Sequence, residues 1–222
     1  MNFKEYNPES ETDWLELRTK VLTATEVGVI LGLNPWKSVK QLIEGKKHKT
    51  PIDNSYIWLG QALEPVVVNA TNKLMGTDYK LYEDESRSFF ADTELGLGAT
   101  PDAWDGKTLL ECKTTKPGNY LRWHDWPPAY YLAQLYTQLI CTDFQVGYLA
   151  ILGADMTQLN ETLNLQFHVH RLERSEEMDK MFLDTVKDFW AAEKEGKVYR
   201  VNRKRAPMLE LQLRLLTRRV YG

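Results

Sequence analysis

The chain has 222 residues, of which 43% are hydrophobic and 11% aromatic, so it can bury a sizeable core and is not expected to be disordered. The formal charge is only −3 at pH 7, which excludes a uniformly basic protein, so any surface for a polyanion must be local. Two distant cysteines, Cys112 and Cys141, exclude a CxxC metal site and favour free thiols in a reducing cytoplasm. The sequence shows no membrane-spanning run and no secretory signal.

A capped helix is the clearest local signal near the N-terminus. Residues 1–12 are expected to form a loose arm, and a short helix is predicted over 13–20. The sequence Thr23-Ala-Thr-Glu26 has the capping-box pattern S/T-x-x-E, which opens a helix. Gly32 predicts the end of that helix.

A longer helix is predicted before the first strands. Residues 57–75 carry apolar side chains at helical spacing, after a shorter helix over 39–44 and a polar loop over 46–54. Pro65 lies inside the longer pattern, so it must occupy the first turn or bend the helix. Glu64 is therefore expected near a helix N-terminus or a bend.

After residue 76 the apolar pattern changes to the period of a strand. Strands are predicted over 79–83, 88–92, 98–104, 108–114, 145–152 and 161–171. Asp105-Gly106 predicts a hairpin turn between the third and fourth strands. Residues 119–126 are expected to form an irregular loop before a helix over 127–141, and Ser175 caps a strongly amphipathic helix.

The order of helices, strands, helix, strands and helix predicts an α/β fold, with one central sheet flanked by helices. We expect a single domain across residues 1–222, with its core over 13–195. The tail over 197–222 is basic, and its alternating leucines are compatible with either a helix or a strand.

The pattern that carries chemistry is Pro101-Asp102, followed nine residues after the aspartate by Glu111-Cys112-Lys113. Side chains alternate along a strand, so Glu111 and Lys113 share one face and Cys112 points away. The hairpin turn brings Asp102 alongside this strand. Carboxylate oxygens suit Mg²⁺ or Mn²⁺, and such ions stabilise the charge that develops in phosphodiester cleavage, a second ion acting at the leaving oxygen.

The same residues also fit a solvated hairpin with an exposed aspartate and a Glu–Lys pair. Leu109 and Leu110 favour a buried strand, where charges are costly unless they are paired or bound to a metal. We therefore favour the metal site. Lys113 could orient the attacking water, or deprotonate it if its pKa falls from the usual value of about 10.4.

The pattern PD-x8-ECK resembles the PD-(D/E)XK nuclease superfamily, and its longer context resembles the lambda exonuclease family, also called YqaJ-type viral recombinase nucleases. The matching pieces occur in family order over about residues 14–138: 14–18, 23–26, 58–60 with Glu64, 99–102, 110–113 and 131–134. The resemblance implies a restriction-endonuclease-like fold, in which a central mixed β-sheet is flanked by helices.

The resemblance also implies catalytic and metal-binding roles. Asp102 and Glu111 would hold a catalytic Mg²⁺, for which Mn²⁺ is an alternative. The main-chain carbonyl of Cys112 would be a further ligand, and Glu64 would help to bind a second metal. Lys113 would position or activate the attacking water. For Glu64, an acid stabilised by the dipole of a helix N-terminus is the competing interpretation.

A pocket for a 5′-phosphate is implied at Arg18, Thr25 and Gln134. If Thr23 is the N-cap, Thr25 lies in the first helical turn, where free backbone N–H groups attract anions. Arg18 can offer a bidentate fork to phosphate. An ordinary cap, a surface arginine and a polar stripe formed by Gln134 and Gln138 are the competing interpretations. The family commonly has serine where this chain has Thr25.

The resemblance implies a Mg²⁺-dependent 5′→3′ exonuclease acting on double-stranded DNA ends in phage-type recombination, which leaves 3′ single-stranded tails. It further implies a homotrimeric ring, a single-strand annealing partner and a phage- or prophage-encoded protein in the bacterial cytoplasm. One alternative is an endonuclease or a Cas4-like nuclease, although the latter usually carries a cysteine cluster. Another is a non-catalytic DNA-binding protein, against which the intact set of Asp102, Glu111 and Lys113 argues.

Three weaker features remain. Aromatic and basic residues after the motif either stack on a frayed DNA end or pack into the core: Tyr120, Arg122, Trp123, His124 and Trp126. The lysines between Lys37 and Lys49 either follow a DNA backbone or form a solvated face. His168 and His170 lack a third ligand nearby in the sequence, so we interpret them as structural.

Overall fold

The computed structural model describes residues 2–47, 55–81, 88–153 and 166–222. Helices and strands are interspersed along the described chain. In chain order they are β1 (Lys4–Tyr6), α1 (Glu11–Lys20), β2 (Leu22–Thr23), α2 (Ala24–Ile30), α3 (Val39–Lys47), α4 (Ser55–Met75), β3 (Lys80–Leu81), β4 (Phe89–Asp92), β5 (Leu97–Ala99), β6 (Ala103–Trp104), β7 (Leu109–Thr115), α5 (Pro117–Trp123), α6 (Ala129–Thr142), β8 (Val146–Gly153), β9 (Gln166–Glu173), α7 (Glu176–Lys194), α8 (Ala206–Leu215) and β10 (Thr217–Tyr221).

The described strands form two mixed sheets, so the predicted α/β class with mixed sheets flanked by helices is confirmed. A six-stranded sheet has the order β10-β9-β8-β7-β6-β3, and a four-stranded sheet has the order β1-β4-β5-β2. In the larger sheet β7 runs parallel to β8, whereas β6 and β9 are antiparallel to their neighbours. Two sheets rather than one therefore carry the predicted strands.

Successive residues of β7 face two different cores. Leu109 belongs to the larger core, together with side chains of α2, α6 and α7. Leu110 and Cys112 belong to a smaller core on the opposite face, against Val67 of α4. Because the side-chain period of a strand is two, Glu111 shares the face of Leu109 and points toward α6. Cys112 and Cys141 are free and buried, as expected.

The strand predicted over 98–104 is wrong, because the chain leaves one sheet and enters the other within it. β5 belongs to the four-stranded sheet and β6 to the six-stranded sheet. Thr100, Pro101 and Asp102 connect them. Pro101 has no N–H to donate to a ladder, which favours a break at this position. Asp102 consequently lies at the junction of the two sheets.

Two further expectations are corrected. The predicted loose arm contributes β1, which pairs antiparallel with β4. The loop expected over 119–126 is largely α5, whose start is favoured by Pro117 in its first turn, where a missing N–H costs nothing. Of the two alternatives for Pro65, the first turn of a helix is excluded, because Pro65 lies in the middle of α4 and Glu64 is not near a helix N-terminus. The undecided tail forms α8 and then β10.

Several local signals are confirmed. The capping box closes as predicted, with the Thr23 backbone N–H donating to Glu26 Oε2 at 2.9 Å. Ser175 Oγ accepts from the Met178 backbone N–H at 3.3 Å and caps α7. β6 and β7 form the predicted hairpin.

Parts of the predicted loop over 46–54 and of the predicted strands over 79–83 and 161–171 lie outside the described residues. No helix in the described part of the chain is long and apolar enough to cross a membrane.

Candidate active site

Glu111 is the centre of the predicted site and is fully buried, with 0% of its surface exposed. Both carboxylate oxygens are engaged. Oε1 accepts a hydrogen bond from Gln134 Nε2 at 2.5 Å and also pairs with the Lys113 ammonium. Oε2 accepts from Gln138 Nε2 at 2.6 Å. The alternative of a solvated hairpin is therefore wrong, because this carboxylate is held inside the protein by three donors.

Asp102 lies close to the same strand. Its Oδ2 accepts a hydrogen bond from the backbone N–H of Cys112 at 2.8 Å. Burial raises the pKa of Asp102 well above its ordinary value, and the charges of Glu111 and Glu64 raise it further, while Lys113 opposes them. The structure thus brings Asp102 and Glu111 together, as the hairpin predicted.

Lys113 is the cation of the site. Its ammonium pairs with Glu111 and lies 5.2 Å from the ring centroid of Tyr131, a favourable cation–π distance. Burial lowers the pKa of Lys113, but the charges of Glu111 and Asp102 outweigh burial and leave that pKa above its ordinary value. As found, Lys113 is a protonated side chain that compensates buried carboxylate charge.

Glu64 approaches the site from α4, which packs against β7. A Cβ atom added at Gly60 of this helix would lie 3.9 Å from Thr114 Oγ1. Glu64 is close enough for its charge to raise the pKa of Asp102. Because Glu64 lies within the helix, the competing interpretation of an acid at a helix N-terminus does not apply.

The donor chemistry of the site fits Mg²⁺. Across the described residues, no three His, Cys, Asp or Glu side chains are arranged to hold a metal ion. Mg²⁺ does not need such a cage, because one or two carboxylates, with water and substrate phosphates, usually suffice. Asp102 and Glu111 would supply two hard oxygen donors, and the Cys112 carbonyl would be a third. The charge of Glu111 raises the pKa of Asp102, and a bound divalent cation would offset that repulsion.

Arg18 is connected to the motif through Trp14. The guanidinium carbon of Arg18 lies 4.2 Å from the ring centroid of Trp14. Trp14 Nε1 donates to Thr100 Oγ1 at 3.2 Å, and Thr100 is two residues before Asp102. Thr25 is exposed in the first turn of α2. The predicted phosphate residues Arg18 and Thr25 therefore lie on elements next to the acidic centre.

Lys46 holds this region together, which the sequence did not indicate. Its ammonium donates to the carbonyls of Arg18 at 3.1 Å and Val21 at 2.5 Å. It also pairs with Glu26 Oε2 at 2.7 Å. Burial lowers the pKa of Lys46, and the charge of Glu26 opposes that shift. Neither of the two alternatives, a contact with a DNA backbone or a solvated face, holds for Lys46, because its ammonium is committed to these internal partners.

The two glutamines of α6 both contact Glu111. The amide nitrogen of Gln134 donates to Glu111 Oε1, and a role for Gln134 in the phosphate pocket stays a prediction. The sequence places Gln138 only in a polar stripe with Gln134, and the structure shows that it reaches the other oxygen of the same carboxylate. The available signal was their spacing of four residues within a helix that is otherwise apolar and buried, since such residues share one face.

The aromatic and basic segment after β7 mostly packs against the protein. Tyr120 is buried, with its ring centroid 4.6 Å from that of His168. The Trp123 ring meets Tyr131 at 5.4 Å in an edge-on arrangement. Trp126 remains 51% exposed, with the Arg214 guanidinium 5.2 Å from its ring centroid. Trp126 is thus the aromatic member of this group best placed for an external partner.

His168 and His170 are buried on β9, and the structural interpretation agrees with their environment. His168 is 5.6 Å from His124, centroid to centroid, but no metal-binding group is found in the described chain. Both ring nitrogens of His168 lack a hydrogen-bond partner among the described residues. Burial lowers the pKa of His168 to about 3 and that of His170 to about 4, and the neighbouring charge of Arg219 contributes in both cases.

These histidines predict a loss of stability in mild acid. Their folded pKa values lie below the unfolded value of about 6.5, so the unfolded chain takes up protons first as the pH falls. The contribution of these two histidines to the free energy of unfolding should be constant above about pH 7 and fall by about 2 kcal/mol per pH unit between about pH 6 and 5. Urea unfolding followed by tryptophan fluorescence measures this slope. In His168→Leu the free energy of unfolding should fall clearly less steeply with decreasing pH. An unchanged slope would contradict the low pKa assigned to His168.

The profile of the YqaJ-like viral recombinase domain matches residues 13–145, which include every predicted site residue. The chain belongs to the YqaJ-like viral recombinase family. It is 25% identical over 193 residues to the uncharacterized protein YqaJ of Bacillus subtilis (strain 168), covering 82% of this chain and 56% of the relative. The chain thus spans about half the length of that curated relative.

Solved structures with this fold include two of an exonuclease. The complex of LHK-Exo with dAMP superposes with a TM-score of 0.64 at 19% identity, covering 90% of this chain and 99% of that chain. The alkaline exonuclease LHK-Exo from Laribacter hongkongensis gives a TM-score of 0.62 at 22% identity, covering 89% and 99%. A phage-related exonuclease from Haemophilus somnus 129PT gives 0.51 at 11% identity, covering 79% and 96%. These similarities show that the YqaJ-like chain shares their fold.

Proposed function

We propose that this protein is a Mg²⁺-dependent 5′→3′ exonuclease that degrades double-stranded DNA ends and leaves 3′ single-stranded tails for recombination. The observation that carries the proposal is the buried centre itself. Asp102 and Glu111 meet at the junction of the two sheets, and Lys113 pairs with Glu111 there. Membership of the viral recombinase family and the fold shared with exonucleases support a nuclease.

The residues of the centre divide the work of hydrolysis. Asp102, Glu111 and the Cys112 carbonyl would hold one Mg²⁺, and Glu64 would contribute to a second. Bound Mg²⁺ supplies electrostatic stabilisation of the charge that develops on the phosphate oxygens. Lys113 positions or activates the attacking water from its place beside Glu111. The buried surroundings strengthen these interactions, because less water screens them.

A 5′-phosphate pocket beside this centre would set the polarity. Arg18 stacks over Trp14, and Trp14 is hydrogen-bonded to Thr100, the residue before Pro101. A phosphate held by Arg18 would therefore lie near the bond that is cleaved. Thr25 adds a hydroxyl and the backbone N–H groups of the first turn of α2. Gln134 of α6, whose amide nitrogen donates to Glu111, would be the third residue of the pocket. The protein would act on DNA ends as a ring-shaped homotrimer, together with a single-strand annealing protein.

An end-specific digestion tests the proposed function. Linear duplex DNA with a 5′-phosphate or a 5′-hydroxyl, and covalently closed circular DNA, are incubated with the protein and Mg²⁺. We expect the phosphorylated linear duplex to be shortened from its 5′ ends, the hydroxylated duplex to react more slowly and the circle to persist. Cleavage of the circle would favour an endonuclease. Intact linear duplex with every divalent metal would contradict the proposal.

Arg18→Met should weaken the preference for a 5′-phosphate. The variant keeps an unbranched apolar stem but loses the guanidinium fork, which contributes about 1.5–3 kcal/mol to a charged hydrogen-bonded contact. The ratio of kcat/KM for phosphorylated over hydroxylated ends should fall about 10- to 100-fold. Lys20→Met is the matched control on the same helix, because Lys20 is exposed and its ion pair among the described residues is with Glu16. An unchanged ratio in Arg18→Met would exclude Arg18 from the pocket.

A further inference from the structure

Gln138 connects the two halves of the candidate metal site. Its amide nitrogen donates to Glu111 Oε2 at 2.6 Å and to the carbonyl oxygen of Thr100 at 3.3 Å. Glu111 belongs to β7, whereas Thr100 directly precedes Pro101-Asp102 between β5 and β6. We infer that Gln138 is a positioning residue for the metal-binding acids, an inference that rests on the proposed function.

One amide group can perform this task because it carries two hydrogens in a fixed plane. One hydrogen is donated to Glu111 on β7 and the other to the Thr100 carbonyl between β5 and β6. The Gln138 amide therefore sets the spacing between Glu111 and the Thr100 turn. Pro101 has no N–H of its own to anchor that turn. Two further hydrogen bonds hold this region, from Trp14 Nε1 to Thr100 Oγ1 at 3.2 Å and from the Cys112 backbone N–H to Asp102 Oδ2 at 2.8 Å. Gln138 thus ties Glu111 to the Thr100 turn, and the Cys112 N–H ties Asp102 to β7.

Gln134 and Gln138 together fix the orientation of the Glu111 carboxylate. They lie one helical turn apart on α6, and each donates to a different oxygen, at 2.5 Å and 2.6 Å. A carboxylate held at both oxygens cannot rotate freely about its terminal bond. The lone pair of Oε2 that Gln138 leaves free is thereby presented in one direction, which is what a metal ion with strict octahedral geometry requires.

The other end of the Gln138 amide shows that stability alone does not explain this residue. Gln138 is fully buried, and its Oε1 has no hydrogen-bond partner within the described chain. Buried polar atoms are normally paired, and an unpaired one is destabilising. An apolar side chain of the same length would avoid that penalty but would leave Glu111 Oε2 without this donor. The N–H side of the amide is therefore the functional part of Gln138.

Gln138→Met tests the inference with a side chain of similar length that donates no hydrogen bond. The first measurement is the dissociation constant of Mn²⁺ for the protein without DNA, by isothermal titration calorimetry. We expect this constant to rise about 10-fold or more, as for other residues that orient metal ligands. In digestion of linear duplex, the Mg²⁺ concentration for half-maximal rate should rise similarly, with the KM for DNA unchanged within about 2-fold.

Thr137→Val is the matched control. Thr137 is also fully buried on α6, but its hydroxyl donates to the Ala133 carbonyl at 2.8 Å and not to Glu111. This variant should bind Mn²⁺ like the unmodified protein. If Gln138→Met does not fold, Gln138→Asn replaces it, and its shorter amide should also weaken Mn²⁺ binding.

Two outcomes overturn the inference: unchanged Mn²⁺ affinity in the Gln138 variant, or an equal loss in Thr137→Val. Failure of the proposed function has a different signature. In that case the unmodified protein would leave duplex DNA intact, while the calorimetric comparison would still report whether Gln138 positions the acids for a metal ion.

Discussion

Glu111→Gln is expected to lower the turnover of linear duplex DNA at least about 1,000-fold. The substitution keeps the size of the side chain but removes one of the two negative charges that would hold Mg²⁺. Loss of about 4 kcal/mol of transition-state stabilisation corresponds to that factor. The rate is best measured under single-turnover conditions with excess protein, so that DNA binding does not limit it.

The Glu111→Gln protein should remain folded but become less stable. An amide offers one acceptor oxygen where the carboxylate accepts from Lys113, Gln134 and Gln138. Its NH₂ group must then face another donor, at a cost of about 1–3 kcal/mol. Glu176→Gln, an exposed position in the first turn of α7, is the control for removal of one acid. Turnover by Glu111→Gln within about 10-fold of the unmodified protein would place the site elsewhere.

Lys113→Met is expected to lower turnover about 100- to 10,000-fold, the usual range for loss of a group that handles a proton or orients water. Methionine fills the same space but carries no charge. Lys113→Arg should recover only part of the rate, because a planar guanidinium cannot occupy the position of a compact ammonium beside Glu111 and the Tyr131 ring.

The same variant has a distinctive effect on stability. Removal of Lys113 leaves the buried Glu111 carboxylate without its cation, which should destabilise the protein by about 3–5 kcal/mol in the absence of metal. A divalent ion can restore the missing charge. Added Mg²⁺ should therefore raise the Tm of Lys113→Met more than that of the unmodified protein, which differential scanning calorimetry can measure. An equal or smaller rise in the variant would contradict a metal site next to Lys113.

The sequence predicted most of the local structure around the site. The change from helical to strand spacing, the capping box at Thr23 and the turn at Asp105-Gly106 depend on neighbouring residues, which a sequence displays directly. The shared face of Glu111 and Lys113 follows from the strand period. These short-range rules place the two acids and the lysine together before any tertiary contact is known.

The remaining features depend on contacts between distant parts of the chain. The strand pattern continues across Pro101, so the transfer from one sheet to the other has no periodic signal. Gln138 meets Glu111 across a separation of 27 residues, and Lys46 meets the Arg18 carbonyl across 28. A polar residue in a helix gives no indication of which distant strand it will face. The roles of Gln138 and Lys46 therefore emerge only when the helices are packed on the sheet.

The most direct test of the central claim measures nucleotide release from linear duplex DNA in Mg²⁺. The unmodified protein and Glu111→Gln are compared at equal concentration, with the chelator EDTA as a control. We expect steady release of nucleotides by the unmodified protein and no release with EDTA. In Glu111→Gln the rate of release should be at least about 1,000-fold lower. Equal release by the two proteins, or none by the unmodified protein with either Mg²⁺ or Mn²⁺, would contradict the central claim.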